Sequence, residues 1–160
     1  MGVSQNSGAV LAAARADGRI RGVVVDSPFR SPAAEVEDLT CWVPGGPAGW
    51  FPRATLAWAS LGQGCNLFEQ SAGRDIAEVS PRPVLLICGQ DDPVVPVGEV
   101  EALYRAARDP AMLWKVPGAR HAEALACRPA QYAEVVAKML QSVRMGLPPF
   151  GWARDAKSAS

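Results

Sequence analysis

The sequence predicts an α/β fold: about three parallel strands with flanking helices and a small cap insertion. Two observations carry this. The runs Gly22-Val23-Val24-Val25 and Val84-Leu85-Leu86-Ile87-Cys88 are short, continuous and apolar, as strands buried on both faces of a parallel sheet are. Segments with helical spacing alternate with them, and that alternation implies right-handed crossovers. A chain of 160 residues has the length of one domain and can bury a sizeable core.

Residues 7–16 are small and helix-compatible; Ser7 is placed to help cap them, and Gly18 fits just beyond their end. The first strand runs from Arg21 to Asp26 and stops at Ser27-Pro28. Residues 31–80 differ in character. Pro44-Gly45-Gly46-Pro47 and Gly49-Trp50-Phe51-Pro52 interrupt regular structure, and short helices are expected at 33–38, 53–61 and 72–79. Trp42, Trp50 and Trp58 fall here, in a segment read as a cap or lid over one edge of the sheet. Pro83 to Gly89 is the clearest strand, and a helix follows over 99–108 with Val100, Leu103, Tyr104 and Ala107 on one face. Met112 to Val116 is a third strand. Pro129 suits the first turn of a helix over 129–144, whose apolar stripe is Tyr132, Val135, Val136, Met139, Leu140 and Val143. Residues 1–145 therefore form the domain, and 146–160 read as a flexible tail.

Sixteen acidic and sixteen basic residues cancel, and no basic stripe favours nucleic acid. No apolar run reaches membrane-spanning length, and residues 1–20 lack a signal-peptide pattern, so a cytoplasmic protein is expected. Cys41, Cys65, Cys88 and Cys127 form no CxxC pair, and one histidine cannot complete a Cys2His2 zinc site. All four are expected to be free thiols, with Cys88 a small buried hydrophobe.

Three residues carry candidate chemistry. Ser4 stands in Gly2-Val3-Ser4-Gln5-Asn6, an incomplete GxSxG, with helix capping as its plainer role. Ser7 is a poorer nucleophile candidate, since Gln5 would occupy the tight position before it. Asp92 follows a strand and leads into Pro93-Val94-Val95-Pro96. A carboxylate there can accept the Nδ1–H of a histidine, or can simply bond its own turn. Asp91 is its neighbouring rival and Asp26 a more distant one. His121, the only histidine, follows a strand and a glycine-containing loop, where its Nε2 can take a serine proton and return it to a leaving group. Serine, aspartate and histidine occur in that chain order, each after an expected strand.

On these residues the sequence resembles the α/β-hydrolase superfamily. Residues 80–140 are similar to the C-terminal part of bacterial serine hydrolases of the Bem46-like, dienelactone-hydrolase and prolyl-oligopeptidase-like groups. The resemblance rests on Pro81-Arg82-Pro83-Val84-Leu85-Leu86-Ile87, Gly89, Asp92, Val95-Pro96, Leu103-Tyr104, Leu113-Trp114, Val116-Pro117-Gly118 and His121, together with residues 2–29. It implies the C-terminal half of an α/β-hydrolase fold and a serine hydrolase acting on an ester, thioester or amide through an acyl-enzyme. Ser4 is then the nucleophile, Asp92 the orienting acid, His121 the base, and the N–H of Gln5 an oxyanion donor. The substrate is a small acyl compound, and no metal or organic cofactor is required.

Two departures accompany the resemblance. Asn6 stands where glycine is expected. About five strands precede the elbow in such folds, and one of their loops supplies a second oxyanion N–H. An internal methionine read as a start, or a truncated gene, is the expectation here. Loss of one such donor lowers the rate about 10²–10³-fold. The alternative is therefore a truncated or degenerate homologue without catalysis, acting as a binding module or as a homo-oligomer through its open sheet edge.

Overall fold

A computed structural model describes residues 1–31, 36, 51–63 and 71–146, without the side chains of 51–53 and 63. The expected helix at 33–38, Trp42, Trp50, Cys41, Cys65 and the tail beyond Gly146 lie outside the described residues, save for Val36. The element order is β1 (Gly2–Val3), α1 (Asn6–Ala16), β2 (Val23–Asp26), α2 (Phe51–Gln63), α3 (Ala72–Val79), β3 (Val84–Gly89), α4 (Val97–Ala106), β4 (Ala111–Val116), α5 (Ala124–Cys127) and α6 (Pro129–Met145).

The four strands pair in chain order, β1-β2-β3-β4, all parallel. The sequence reading had about three; the fourth is β1, too short to show a pattern, and α5 was likewise unanticipated. Right-handed crossovers between adjacent strands put α1, α3 and α4 on one face. Accordingly Leu11 and Ala14 of α1, Ile76 and Val79 of α3, and Val100 and Leu103 of α4 pack with Val23, Val25, Val84, Leu86 and Cys88. The opposite face, with Val24, Leu85 and Ile87, is covered by Tyr132 and Met139 of α6. Successive strand residues thus feed two separate cores, which is why β2 and β3 are apolar without alternation. Each wholly buried Leu or Ile contributes roughly 1.5–3 kcal/mol.

The helix ends follow local chemistry, with two differences from expectation. The Ser71 hydroxyl caps α3 by accepting the Arg74 N–H, and α6 starts at Pro129 and ends on Gly146 at φ 66°. Ser7 does not cap α1. It lies inside the helix, buried, and its Oγ has no hydrogen-bond partner. Leu140 is 61 % exposed rather than part of the α6 core stripe, because it is turned about 100° from Met139, which faces the sheet. Within the segment read as a cap, α3 joins the core layer, whereas α2 buries Leu56 and leaves Trp58 exposed.

At the N-terminal ends of the strands, the half-buried Arg82 ties three pieces together. Its guanidinium donates to the carbonyls of Ala14, Asp17 and Ile20 around the end of α1, and to that of Val79 at the end of α3. No helix among the described residues is long and apolar enough to cross a membrane.

Candidate active site

Parallel register gathers the C-terminal strand ends at one rim, where α/β sheets bind ligands. Val3 pairs with Asp26, Asp26 with Ile87, and Gly89 with Val116. The ladder continues one residue further, with the Ser4 N–H donating to Asp26, Ser27 to Ile87 and Gln90 to Val116. Ser4, Ser27, the 90–95 loop and the 117–123 loop therefore emerge side by side.

Ser4 has φ 53°, the left-handed region that a side chain avoids unless its surroundings impose it. The strand-to-helix reversal is tight: a Cβ on Gly2 would lie 2.8 Å from the Asn6 carbonyl oxygen and 2.9 Å from the Ser7 Cα. Gly2 is thus required, whereas Asn6 is not a misfit. It sits in the first turn of α1, its side chain is exposed, and its φ is not positive.

The acid and base loops are fastened to each other. The Asp91 N–H donates to the Ala119 carbonyl at 3.0 Å. Any Cβ on Gly89 would run into that same carbonyl, so glycine lets the two loops touch. Gly118 turns the second loop at φ 78°.

The structure brings Ser4, His121 and Asp92 together. Ser4 Oγ is 2.8 Å from His121 Nε2, and His121 Nδ1 is 2.8 Å from Asp92 Oδ2. The Asp92 side chain is wholly buried and that of His121 is 21 % exposed. Asp92 Oδ1 accepts the N–H groups of Val94 and Val95 at 2.8 and 2.9 Å. One oxygen therefore makes the turn and the other faces the imidazole, so both expected uses of this aspartate coexist. A carboxylate acceptor fixes the proton on Nδ1 and leaves Nε2 to accept the serine hydroxyl. Such an arrangement can deliver an activated oxygen nucleophile to a carbonyl. Gln5, backbone helical, directly follows the nucleophile candidate at the N-terminal end of α1. The Phe29 ring lies against His121, with centroids 5.6 Å apart. Asp91, the neighbouring rival, contributes its backbone to the loop.

Sequence reasoning missed the surroundings of Asp26. This carboxyl does not meet the imidazole Nδ1. Its Oδ2 accepts the Tyr132 hydroxyl and its Oδ1 accepts the Ser27 hydroxyl, each at 3.2 Å. Burial pushes Asp26 above the usual carboxylate range, opposed by those two hydrogen bonds and nearby His121, and reinforced by Asp92. Burial likewise raises the Tyr132 phenol, helped by Asp26. The Ser27 oxygen in turn accepts the Ala122 N–H at 3.1 Å. Nothing in the sequence marks the residue before Pro28 as a partner of one 95 positions away.

Among the described residues, no group of three or more histidine, cysteine, aspartate or glutamate side chains is arranged to hold a metal ion. A cavity of about 320 Å³ lined by Arg21, Arg82, Pro110 and Ser142 lies at the opposite rim, where strands begin.

The comparisons with known proteins agree with this architecture. The chain is similar to the uncharacterized protein YfhR of Escherichia coli K12, 34 % identical over 111 residues covering 68 % of the chain and 32 % of that protein. It is also similar to YfhR of Salmonella typhimurium, 40 % identical over 73 residues covering 45 % of the chain and 25 % of that protein. The chain thus spans a third or less of these curated relatives. Among solved structures, the esterase domain of a Rhodothermus marinus protein superposes with a TM-score of 0.60 at 20 % identity, covering 89 % of the chain and 59 % of that chain. The α/β hydrolase GrgF from Penicillium gives 0.58 at 14 % identity, covering 90 % and 62 %. A thermophilic esterase from Thermogutta terrifontis gives 0.57 at 16 % identity, covering 89 % and 64 %. No family model matches. The fold is that of the α/β hydrolases.

Proposed function

We propose that the chain carries the nucleophile, base and acid of a serine hydrolase that cleaves an ester, thioester or amide bond through an acyl-enzyme. The observation that carries this reading is the unbroken chain of two 2.8 Å contacts, Ser4 Oγ to His121 Nε2 and His121 Nδ1 to Asp92 Oδ2. Its three members come from three separate strand ends, and the serine has a left-handed backbone. In the proposed reaction Ser4 Oγ attacks the acyl carbonyl while Nε2 takes its proton. The Gln5 N–H stabilises the oxyanion, and the imidazolium then protonates the leaving group. Water, deprotonated by the same nitrogen, releases the acid and restores Ser4. The motifs at 2–29 and 80–140 favour the Bem46-like, dienelactone-hydrolase and prolyl-oligopeptidase-like groups, and a small acyl substrate suits all three bond types.

A fluorophosphonate probe tests this directly. The folded protein is expected to form an adduct at Ser4, located by peptide mass spectrometry. Ser4→Ala abolishes it, and His121→Ala slows it at least about 10²-fold, the scale of a general base. A folded protein that takes up no probe would sink the proposal and leave the reading of a non-catalytic binding module.

A further inference from the structure

The three non-glycine residues with positive φ among the described residues are Ser4, Ser27 and Ala122, at 53°, 50° and 57°. Such strain, of order 1–3 kcal/mol per residue, persists only where neighbouring contacts impose it. At Ser4 the strand-to-helix reversal imposes it. The other two stand at the ends of a single hydrogen bond, from the Ala122 N–H to the Ser27 Oγ at 3.1 Å. Ala122 directly follows His121.

The hydroxyl in that bond is itself held. A hydroxyl has one proton to give, and Ser27 directs it to Asp26 Oδ1, leaving its lone pairs for Ala122. The Tyr132 hydroxyl, from α6, occupies the other Asp26 oxygen. Ser27 and Asp26 are 0 % and 2 % exposed, so water does not compete for these bonds. We propose that Ser27 is a positioning residue for the base: with its hydroxyl oriented by Asp26 and Tyr132, it grips the Ala122 N–H and fixes the loop that aims His121 at Ser4. The catalytic consequence rests on the hydrolase reading above; the grip on the loop does not. Asp26 acts here through Ser27, in a place distinct from Asp92, whose Oδ2 contacts Nδ1.

Ser27→Gly isolates the hydroxyl, because glycine adopts φ 50° without penalty and the fold is kept. Hydrogen exchange at the Ala122 amide is expected to speed up about tenfold, the factor matching one net hydrogen bond. The Nδ1–H proton resonance of His121, identified as the one missing in His121→Gln, is expected to broaden, and fluorophosphonate labelling of Ser4 to slow about tenfold, with the melting temperature held. Tyr132→Phe, which frees Asp26 but leaves Ser27, is expected to move the same signals in the same direction by less. Unchanged Ala122 exchange and an unchanged His121 resonance in Ser27→Gly overturn the proposal. Slower labelling that merely follows a fall in melting temperature overturns it too. If the wild-type protein takes no label but Ala122 loosens as described, the hydrolase reading fails and the grip stands.

Discussion

Asp26 is a buried carboxylate whose two oxygens accept the hydroxyls of Ser27 and Tyr132. Its raised pKa means that the folded state holds this proton more tightly than the unfolded chain does. The sign follows: Asp26 favours the fold below its unfolded value, near 3.8, and that contribution is lost as pH rises toward the higher folded value. Asp26→Asn removes this dependence. The difference in melting temperature, variant minus wild type, is therefore expected to become more positive between pH 4 and pH 7, whatever constant offset the altered hydrogen bonds add. Parallel curves for the two proteins would show that Asp26 does not titrate across that range. The triad candidates at this scale were legible because Asp92 and His121 each follow an apolar run, Ser4 stands in an incomplete GxSxG, and the three occur in a telling order. Ser27 and Tyr132 were not, because their partners are 95 and 106 residues away and each reads locally as something ordinary, a strand stop and a helix core residue.

Between elements, the decisive contact is loop against loop. Gly89 ends β3 and lies directly beneath the Ala119 and Arg120 carbonyls. Gly89→Ala drives a methyl group into rigid backbone, and overpacking of this kind costs typically about 1–3 kcal/mol. A drop of that size in chemical-denaturation stability is expected, together with slower labelling of Ser4, since the 117–123 loop must shift. An unchanged labelling rate would show that the two loops move independently. Strands β2, β3 and β4 and helices α1, α3, α4 and α6 were readable because their patterns exceed one repeat. A two-residue β1 exceeds none; it exists because β2 offers Val25 and Asp26 as partners. The α6 stripe was drawn one residue too wide at Leu140, since periodicity gives a face but not the width of sheet available to cover it.

For the molecule as a whole, the sheet separates two apolar layers, and Cys88 lies in one of them, wholly buried. Burial pushes its thiol up to about 11. Cys127 is exposed, with its thiol near the Gly118 carbonyl. Iodoacetamide at pH 8 is therefore expected to modify Cys127 in the native protein and to reach Cys88 only through global opening. Peptide mapping across a urea series checks this, and alkylation of Cys88 well below the unfolding transition would contradict the buried position. The two rims of this sheet also do different work. Ser4, Asp92 and His121 stand where strands end, whereas at the rim where strands begin the Arg82 guanidinium clasps the C-terminal ends of α1 and α3. Anchoring of the helices and the candidate triad thereby sit at opposite poles of one slab. Substitutions around Arg82 are therefore expected to shift the melting temperature while leaving the Ser4–His121–Asp92 geometry at the far rim in place.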